Sequence, residues 1–303
     1  MPLTATLAVG LAGLLDRTLA EPPARIHPVA VFGQLVAPTD RRWPAPRLVG
    51  ALVALCLPLF AAGVVFGLVR AVATLQSPIL SPLVVCVVGL VLFSTTSLRL
   101  LTDEAARVVA RSTDDLPAAR TALLSLAGRD ASELSPAQLR SAAVESLAEN
   151  LADGLVGPLA AFAVVAPLSV AGAAAAATWV KAVNTLDSML GYPEKPHGTA
   201  SALLDDLTMW LPARLTALLI AAAALDPGSL VRARTQASNP PSPNSGWPMA
   251  TLAATLGVAL EKPRVYTLDF GAPPTSEAAT RSVTVVTRAG ALAFVLAGVV
   301  AWF

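Results

Sequence analysis

Long uncharged runs alternate with short polar segments along this chain. Leu48–Val69 has 22 residues without a charge, and Ala71–Leu98 has 28. A membrane-spanning helix needs about 20 apolar residues, so both runs predict spanning helices, joined by a short turn around Gln76–Pro82. Ser282–Phe303 contains a single charge, Arg288, and predicts another span.

Two further runs are less regular. Leu207–Leu225 has one arginine shortly after Pro212. Because proline is favoured in the first turn of a helix, we expect a helix that begins near Pro212. Gly154–Val180 contains Pro158 and Pro167. We expect two half-helices here, or a helix buried in the protein, because broken backbone at membrane depth is tolerated where protein covers it.

The remaining segments complete the predicted topology. Pro2–Leu15 is short for a span and lacks the features of a signal peptide, so we expect a helix on the membrane surface or partly inserted. Arginines concentrate in residues 16–47 and 99–153, which predicts that both segments are cytoplasmic. The fold class is therefore all-α, a multi-pass membrane bundle of about four to five spanning helices with amphipathic and re-entrant helices. We expect one domain over residues 1–303, with a cytoplasmic helical segment at 99–153 and a cytoplasmic loop-rich segment at 226–281.

Composition agrees with a membrane protein and excludes several functions. The 303 residues are 55% hydrophobic and only 14% charged, whereas soluble domains carry roughly 25% charged residues. A net charge of +1 gives no basic field for nucleic acid. Two cysteines without CxxC spacing and two histidines exclude zinc-ribbon and HExxH chemistry. The chain also lacks a Walker P-loop, a GxSxG elbow and a GxGxxG fingerprint.

An acidic stripe is the first of several polar clusters. Glu145, Glu149 and Asp153 are spaced i, i+4, i+8, which places them on one side of a continuous helix. Like charges at this spacing destabilise a helix by roughly 0.2–0.5 kcal/mol per pair. A divalent cation or a cationic ligand would relieve the repulsion, although a solvated acidic face is the alternative.

A second cluster combines four polar residue types on one helix edge. At 100° per residue, Lys181, Asn184 and Ser188 fall within about 60° of one another, and Asp187 flanks them. Such an edge can hold a phosphate and its metal, with lysine as a compact phosphate partner. The alternative is a polar helix end whose lysine reaches the membrane interface.

Adjacent carboxylates form a third cluster. Asp205 and Asp206 repel each other and suit magnesium, which takes one or two carboxylates and shares its remaining positions with water and phosphate oxygens. Arg214, nine residues after Asp205, can bind a phosphate or pair with one of the aspartates.

Two proline-rich segments add further candidates. Three prolines in Glu21–Val29 impose an extended path, so that Arg25 and His27 can line a site. The segment Ser238–Pro248 is free of charge and contributes backbone and amide contacts through Asn244, or is a plain linker. We expect all these clusters to form one site, which is a further reason to favour a broken helix over residues 154–180.

The stretch Lys181-Ala-Val-Asn-Thr-Leu-Asp-Ser-Met189 resembles the adenosylcobinamide-phosphate synthase family of cobalamin biosynthesis, also called CobD or CbiB. The resemblance continues, in order, from about residue 10 to 270. The other matching blocks are Asp16-Arg17, Glu21-Pro22-Pro23, His27-Pro28-Val29, Glu145-Ser146, Glu149-Asn150, Asp153-Gly154, Asp205-Asp206, Trp210 to Thr216 and Ser242 to Pro248. The chain departs from the family pattern at Leu203 and Met209, which are apolar, and at Pro193–His197.

The resemblance implies an acid–amine ligase that depends on ATP and Mg²⁺. Its acid is the corrinoid adenosylcobyric acid, and its amine is aminopropanol or aminopropanol phosphate. The enzyme is expected in the inner cell membrane, within the lipid bilayer, with a cytoplasmic active site and other membrane-bound enzymes of the pathway nearby. The alternative is a non-catalytic membrane partner or a corrinoid transporter, and a transporter predicts inverted repeats that the sequence does not show.

The resemblance and the clusters together define three sets of candidate residues. The candidate catalytic residues are Glu145, Glu149, Lys181 and Asp187. The candidate contacts to substrate or ATP are Asn150, Asn184, Ser188, Arg214, His27, Arg25 and Asn244. The candidate metal ligands are Asp153, Asp187, Asp205 and Asp206.

Overall fold

The computed structural model describes residues 2–74, 81–128 and 130–303. In these ranges the chain is mainly helical, with one two-stranded hairpin, which confirms the predicted all-α class. The chain forms two compact units, which are described separately. The first unit contains residues up to Ser97, Asp153–Met209 and Phe294–Phe303, and the second contains Leu98–Ala152 and Trp210–Ala293.

The elements follow one another with short connections. In chain order they are α1 (Pro2–Leu19), α2 (Pro28–Val36), α3 (Pro46–Thr74), α4 (Ser81–Thr95), α5 (Arg99–Asp114), α6 (Leu116–Leu126), α7 (Pro136–Leu151), α8 (Gly157–Val165), α9 (Val170–Leu190), α10 (Thr199–Thr208), α11 (Trp210–Ala223), α12 (Gly228–Ala233), α13 (Gly246–Leu256), β1 (Ala259–Lys262), β2 (Tyr266–Asp269) and α14 (Ser276–Val300). A π-helical turn, Ala152–Val156, lies between α7 and α8.

The first unit is organised around α9. Ala182, Leu186 and Leu190 recur every four residues on α9 and form one apolar face. This face packs with Phe32 of α2 and Ala54 of α3 in a buried core cluster. Burial of this face leaves the opposite side of α9 for polar residues.

The chain is broken within Gly154–Val180, as predicted. Helix α8 ends at Val165 and α9 begins at Val170, and the Ser169 hydroxyl caps α9 by accepting a hydrogen bond from the backbone N–H of Gly172 at 3.1 Å. The two helices pack against each other. The run Gly154–Val180 is therefore divided between two helices by a break that contains Pro167.

The π-helical turn was not predicted. The Asp-Gly pair indicates a helix end in sequence, yet the backbone continues through it with wider π-type turns. Within the first unit, the carbonyl oxygen of Gly154 accepts a hydrogen bond from the backbone N–H of Ser97 at 2.8 Å. Such turns arise where a helix accommodates an extra residue, and they are frequent at functional sites.

The second unit packs helices and a hairpin around α7. Helix α7 begins with a capping box, in which Ser135 and Gln138 satisfy each other's backbone N–H groups. Strands β1 and β2 pair antiparallel with Leu260 opposite Leu268, and β1 packs against α7. The segment 226–281, predicted as rich in loops, thus also contains two helices and this hairpin.

Four helical stretches in the described ranges are long and apolar enough to cross a membrane. They are Pro46–Thr74, Pro82–Asp114, Pro136–Val165 and Ser276–Val300, and Pro196–Thr208 with Trp210–Ala223 would form a fifth if read as one broken span. This is the number of spans expected, and the chain has the helices of a membrane protein.

Most of the predicted spans have a counterpart among these stretches. Leu48–Val69 lies within α3, and Ser282–Phe303 overlaps α14. The predicted turn around Gln76–Pro82 falls largely outside the described residues. The stretch Pro136–Val165 was not predicted as a span, because the uncharged run in this part of the sequence begins only at Gly154.

Candidate active site

The polar edge predicted for α9 is present on the side away from its apolar face. Asn184 is buried, Lys181 and Asp187 are partly buried, and Ser188 is exposed. The Ser188 hydroxyl donates to the backbone carbonyl of Asn184 at 2.9 Å. Lys181 and Asp187 are therefore the two groups on this edge whose charges lie partly out of water.

Three carboxylates act on the Lys181 ammonium group. They are Asp153 in the π-helical turn, Glu21 in the segment after α1 and Asp205 in α10. Burial lowers the pKa of Lys181, and the three negative charges oppose that effect. The first unit thus gathers carboxylates from three separate parts of the sequence around one lysine.

His27 lies at the edge of this group and caps α2. Its Nδ1 accepts a hydrogen bond from the backbone N–H of Val29 at 3.2 Å, so the Nε2 of the neutral ring carries the proton and lies 3.6 Å from Glu21 Oε2. Burial lowers the pKa of His27, while Glu21 raises it and Lys181 lowers it further. His27 is therefore a neutral helix cap next to the charged cluster.

A second pair of charges consists of Asp187, farther along α9, and Asp206 of α10. Burial raises the pKa of Asp187 to about 6, and the negative charge of Asp206 adds to the rise. Oxygen Oδ1 of Asp187 is buried and has no hydrogen-bond partner in the described parts of the chain. Gly191 leaves the space for this carboxylate, because a Cβ atom there would overlap Asp187 Oδ1.

Asp187 and Asp206 could together hold a magnesium ion, but the four candidate metal ligands do not form a cage. Across residues 2–74, 81–128 and 130–303, no group of three or more His, Cys, Asp or Glu side chains is arranged to hold a metal. Magnesium needs only one or two protein carboxylates when phosphate and water oxygens complete its shell. Asp187 and Asp206 meet that requirement, whereas Asp153 and Asp205 act on Lys181.

Glu145 lies in the second unit and is fully buried, with 1% of its surface exposed. Its Oε1 accepts a hydrogen bond from the Ser141 hydroxyl at 3.0 Å, and its Oε2 accepts one from the Tyr266 hydroxyl at 2.9 Å. The backbone N–H of Glu261 donates to Ser141 Oγ at 2.7 Å. This network ties the hairpin to α7, so Glu145 has a structural role here whatever else it does.

Glu149, Asn150 and Arg25 have surroundings that do not indicate a particular role. Glu149 and Asn150 are partly buried near the end of α7, where the Asn150 side chain donates to the backbone carbonyl of Ser146 at 3.0 Å. Arg25 of the first unit is exposed. Their roles in substrate binding or catalysis stay predictions.

Arg214 lies close to two indole rings in the second unit. Its guanidinium carbon lies 4.7 Å from the ring centre of Trp210 and 5.6 Å from that of Trp247. Its Nη1 donates to the Trp210 carbonyl at 2.9 Å and to Asn244 Oδ1 at 2.6 Å, and its Nη2 donates to the Pro243 carbonyl at 3.2 Å. Three of its five N–H groups therefore already fasten the Pro243–Trp247 segment to α11.

The partners of Glu145 in the second unit, and the partner of the α9–α10 connection in the first unit, were not predicted from sequence. Ser141 and Tyr266, which hold Glu145, lie 125 residues apart. Asp40, which lies after α2, binds the α9–α10 connection through Lys195. Asp40 stands directly before Arg41 and Arg42 in a proline-rich segment, and this pattern indicated no partner elsewhere in the chain.

The family described as CobD/Cbib protein matches residues 9–295. No solved structure matches the chain.

Three relatives illustrate the similarity. A probable cobalamin biosynthesis protein CobD of Methanothrix thermoacetophila is 36% identical, over 94% of this chain and 93% of the relative. The cobalamin biosynthesis protein CobD of Geobacter metallireducens is 37% identical, over 86% and 82%. That of Klebsiella pneumoniae is also 37% identical, over 86% and 83%.

Proposed function

This chain belongs to the CobD/CbiB family, and we propose that it is a membrane-bound ligase that forms an amide bond on a corrinoid during cobalamin biosynthesis. The acid is the propionate of adenosylcobyric acid, and the amine is (R)-1-amino-2-propanol or its O-phosphate. The product is adenosylcobinamide or its phosphate, and ATP provides the energy. We place the enzyme in the inner cell membrane with its site on the cytoplasmic side, where ATP is available.

The observation that carries the proposal is the partly buried Lys181 among carboxylates from separate elements. A lysine with a purely structural role at a polar helix end extends its ammonium group into water. Here burial lowers the pKa of Lys181, and the carboxylates of Glu21, Asp153 and Asp205 act on the same group. Perturbed titratable groups with specific charged partners are typical of functional sites.

This cluster suits phosphoryl chemistry followed by attack of an amine. A propionate oxygen attacks the terminal phosphorus of ATP, the bond from that phosphorus to the bridging oxygen breaks, and ADP leaves. The propionate is then an acyl phosphate, in which phosphate is the leaving group. The amine nitrogen then forms a bond to the carbonyl carbon, the carbon–oxygen bond breaks, and phosphate leaves. Lys181 would bind the phosphoryl oxygens and balance their charge. A carboxylate beside Lys181 would accept the proton that the amine loses.

Asp187 and Asp206 are the residues we assign to magnesium. Burial raises the pKa of Asp187, and repulsion from Asp206 adds to the rise. A bound cation would relieve that repulsion. Bound Mg²⁺ would supply charge neutralisation on the phosphate oxygens of ATP.

The test is turnover by the full chain purified in detergent. Adenosylcobyric acid, aminopropanol phosphate or aminopropanol, ATP and Mg²⁺ are combined, and corrinoid products are identified by mass. We expect Lys181→Met to lower kcat/KM by about 100-fold or more, since electrostatic contacts to a transferred group typically contribute factors of 10²–10³. Lys262→Met, at a lysine in the β1 strand, is the matched control and should stay within about two-fold.

Each outcome has a defined meaning. An amide product that Lys181→Met abolishes and Lys262→Met retains supports both the ligase and the cluster. Equal activity in both variants would reject the role of Lys181. No amide product with either amine, from folded protein, would reject the ligase in favour of a membrane partner or transporter.

A further inference from the structure

The connection between α9 and α10, Gly191–Gly198, joins the two charged parts of the candidate site. Helix α9 carries Lys181 and Asp187 before it, and α10 carries Asp205 and Asp206 after it. The position of this connection therefore sets how close Asp187 lies to Asp206.

Asp40 binds this connection with both carboxylate oxygens. Oxygen Oδ2 accepts a hydrogen bond from Lys195 Nζ at 2.7 Å, and Oδ1 lies 3.3 Å from His197 Nε2. The hydrogen bond from Lys195 holds the pKa of Asp40 below its usual value, and His197 adds to the effect. One acidic group following α2 thus contacts two residues of the connection.

Lys195 also links the connection to the end of α9. Its Nζ donates to the backbone carbonyl of Met189 at 2.9 Å. The last carbonyls of a helix lack intrahelical partners, and a cation near them interacts favourably with the helix dipole. Lys195 therefore joins Asp40 to the C-terminus of the helix that carries Asp187.

Two glycines show how tightly the connection is packed. A Cβ atom on Gly50 of α3 would overlap the carbonyl oxygen of His197. A Cβ atom on Gly198 would overlap the carbonyl oxygen of Leu190. With backbone in direct contact on two sides, a shift of the connection requires α9 or α3 to shift as well.

From these contacts we infer that Asp40 is a positioning residue for the candidate site. Its carboxylate holds the α9–α10 connection in place, so that Asp187 and Asp206 stay close enough to share one divalent cation. Asp40 is not one of the two carboxylates that would bind the cation. It acts on them through Lys195 and His197. The inference rests on the proposed function in one respect only, namely that Asp187 and Asp206 bind a divalent cation.

The first experiment measures amide hydrogen exchange in the full chain in detergent. Asp40→Asn removes the charge while keeping the size of the side chain. We expect exchange in Gly191–Gly198 to accelerate about ten-fold or more, with α13 of the second unit unchanged. Asp226→Asn breaks a surface ion pair with Arg232 and is the control that should leave Gly191–Gly198 unaffected. Lys195→Met should reproduce the effect of Asp40→Asn, and Lys195→Arg should retain much of the protection.

The second experiment measures binding of Mn²⁺ as a substitute for Mg²⁺, by electron paramagnetic resonance. Asp40→Asn should weaken Mn²⁺ binding about five- to ten-fold. In the turnover assay, the Mg²⁺ concentration for half-maximal rate should rise by the same factor, while the rate at saturating Mg²⁺ stays within about two-fold. A variant that is only less stable would lose active protein without changing the Mg²⁺ requirement.

The outcomes separate this inference from the proposed function. Unchanged exchange in Gly191–Gly198, unchanged Mn²⁺ affinity in Asp40→Asn, or no Mn²⁺ binding by the unmodified chain overturns the inference. Absence of turnover in the unmodified chain overturns the proposed function alone, because exchange and Mn²⁺ binding still decide the role of Asp40.

Discussion

Acidic side chains in this protein have very different surroundings. Glu145 is buried but accepts hydrogen bonds from two hydroxyl groups. Asp187 is partly buried next to another carboxylate, and one of its oxygens has no hydrogen-bond partner in the described ranges. A buried carboxylate with neutral donors stabilises a fold, whereas one that faces a like charge costs stability unless a cation binds.

We expect Asp187→Asn to stabilise the protein at pH 7 in the presence of EDTA. The pKa of Asp187 rises from 3.8 to about 6 on folding, so its protonated form favours the folded state. That contribution is complete below pH 4 and is lost as the pH rises through 6. Asparagine resembles the protonated carboxyl at every pH, so the variant should gain on the order of 1 kcal/mol at pH 7 after allowance for partial exposure.

The measurement is thermal unfolding in detergent from pH 4 to pH 7. The two proteins should unfold at the same temperature near pH 4 and diverge above pH 5. The exposed Asp114→Asn is the control for general effects of charge removal. A difference between Asp187→Asn and the unmodified chain that does not vary with pH would contradict the assigned pKa.

Tyr266→Phe should destabilise the second unit. The change removes the hydroxyl that donates to Glu145 Oε2 at 2.9 Å and leaves a buried carboxylate short of a donor. The expected loss in unfolding free energy is about 1–3 kcal/mol. Tyr192→Phe, at the other tyrosine of the chain and 45% exposed, should cost less than about 0.5 kcal/mol. Denaturant unfolding in detergent gives both values, and equal effects would argue against the Glu145 network.

Helix α9 positions the candidate site because it has an apolar face that is buried and a polar edge on the other side. Helix α9 buries Ala182, Leu186 and Leu190 and directs its polar edge away from them. Helix α3 is largely apolar, and only 17% of its most apolar 18-residue stretch is buried in the protein. The small residue Gly50 of α3 nevertheless matters for packing, because it lies directly against the α9–α10 connection.

Gly50→Ala and Gly63→Ala form a matched pair within α3. The added methyl group at position 50 would overlap the His197 carbonyl oxygen, whereas position 63 has no atom within 4 Å. Overpacking typically costs about 1–3 kcal/mol, so we expect Gly50→Ala to lower the unfolding temperature. Gly63→Ala should be neutral or slightly stabilising, because alanine is the better helix former. Thermal unfolding in detergent checks the pair, and equal unfolding temperatures would contradict the tight packing at Gly50.

At the scale of the whole molecule, the exposed surface of the long helices indicates where lipid lies. Leu48, Leu52, Leu55 and Leu59 of α3 are more than half exposed. Such a surface is unfavourable in water and normal in a bilayer. The two cysteines test this directly, since Cys56 and Cys86 are exposed on α3 and α4.

In intact membranes we expect a water-soluble maleimide to leave Cys56 and Cys86 unlabelled. The thiolate is the reactive form of cysteine, and both thiolate and reagent need water. After denaturation in SDS both cysteines should react. Ser132→Cys, at an exposed position between α6 and α7, should react in either state. Mass spectrometry reports the labelled sites, and rapid labelling of Cys56 or Cys86 in intact membranes would show that its helix faces water.

Helical character, the break near Pro167 and the polar edge of α9 could all be predicted from sequence. The reason is that each depends on local properties: uncharged length, proline chemistry and a period of 3.6 residues per turn. The family resemblance was also visible in contiguous motifs. The π-helical turn at Ala152–Val156 escaped prediction, because Asp-Gly is an equally good signal for a helix end.

Only the tertiary structure decided which charged groups meet. Glu21, Asp153 and Asp205 act on Lys181 although they are far from it in sequence. Glu145 is joined to Tyr266, which lies 121 residues away in sequence. A helical pattern specifies which residues share a face, but it does not specify which faces pack together. The closeness and burial that shift pKa values arise from that packing, so the chemistry of this site depends on contacts that no local pattern encodes.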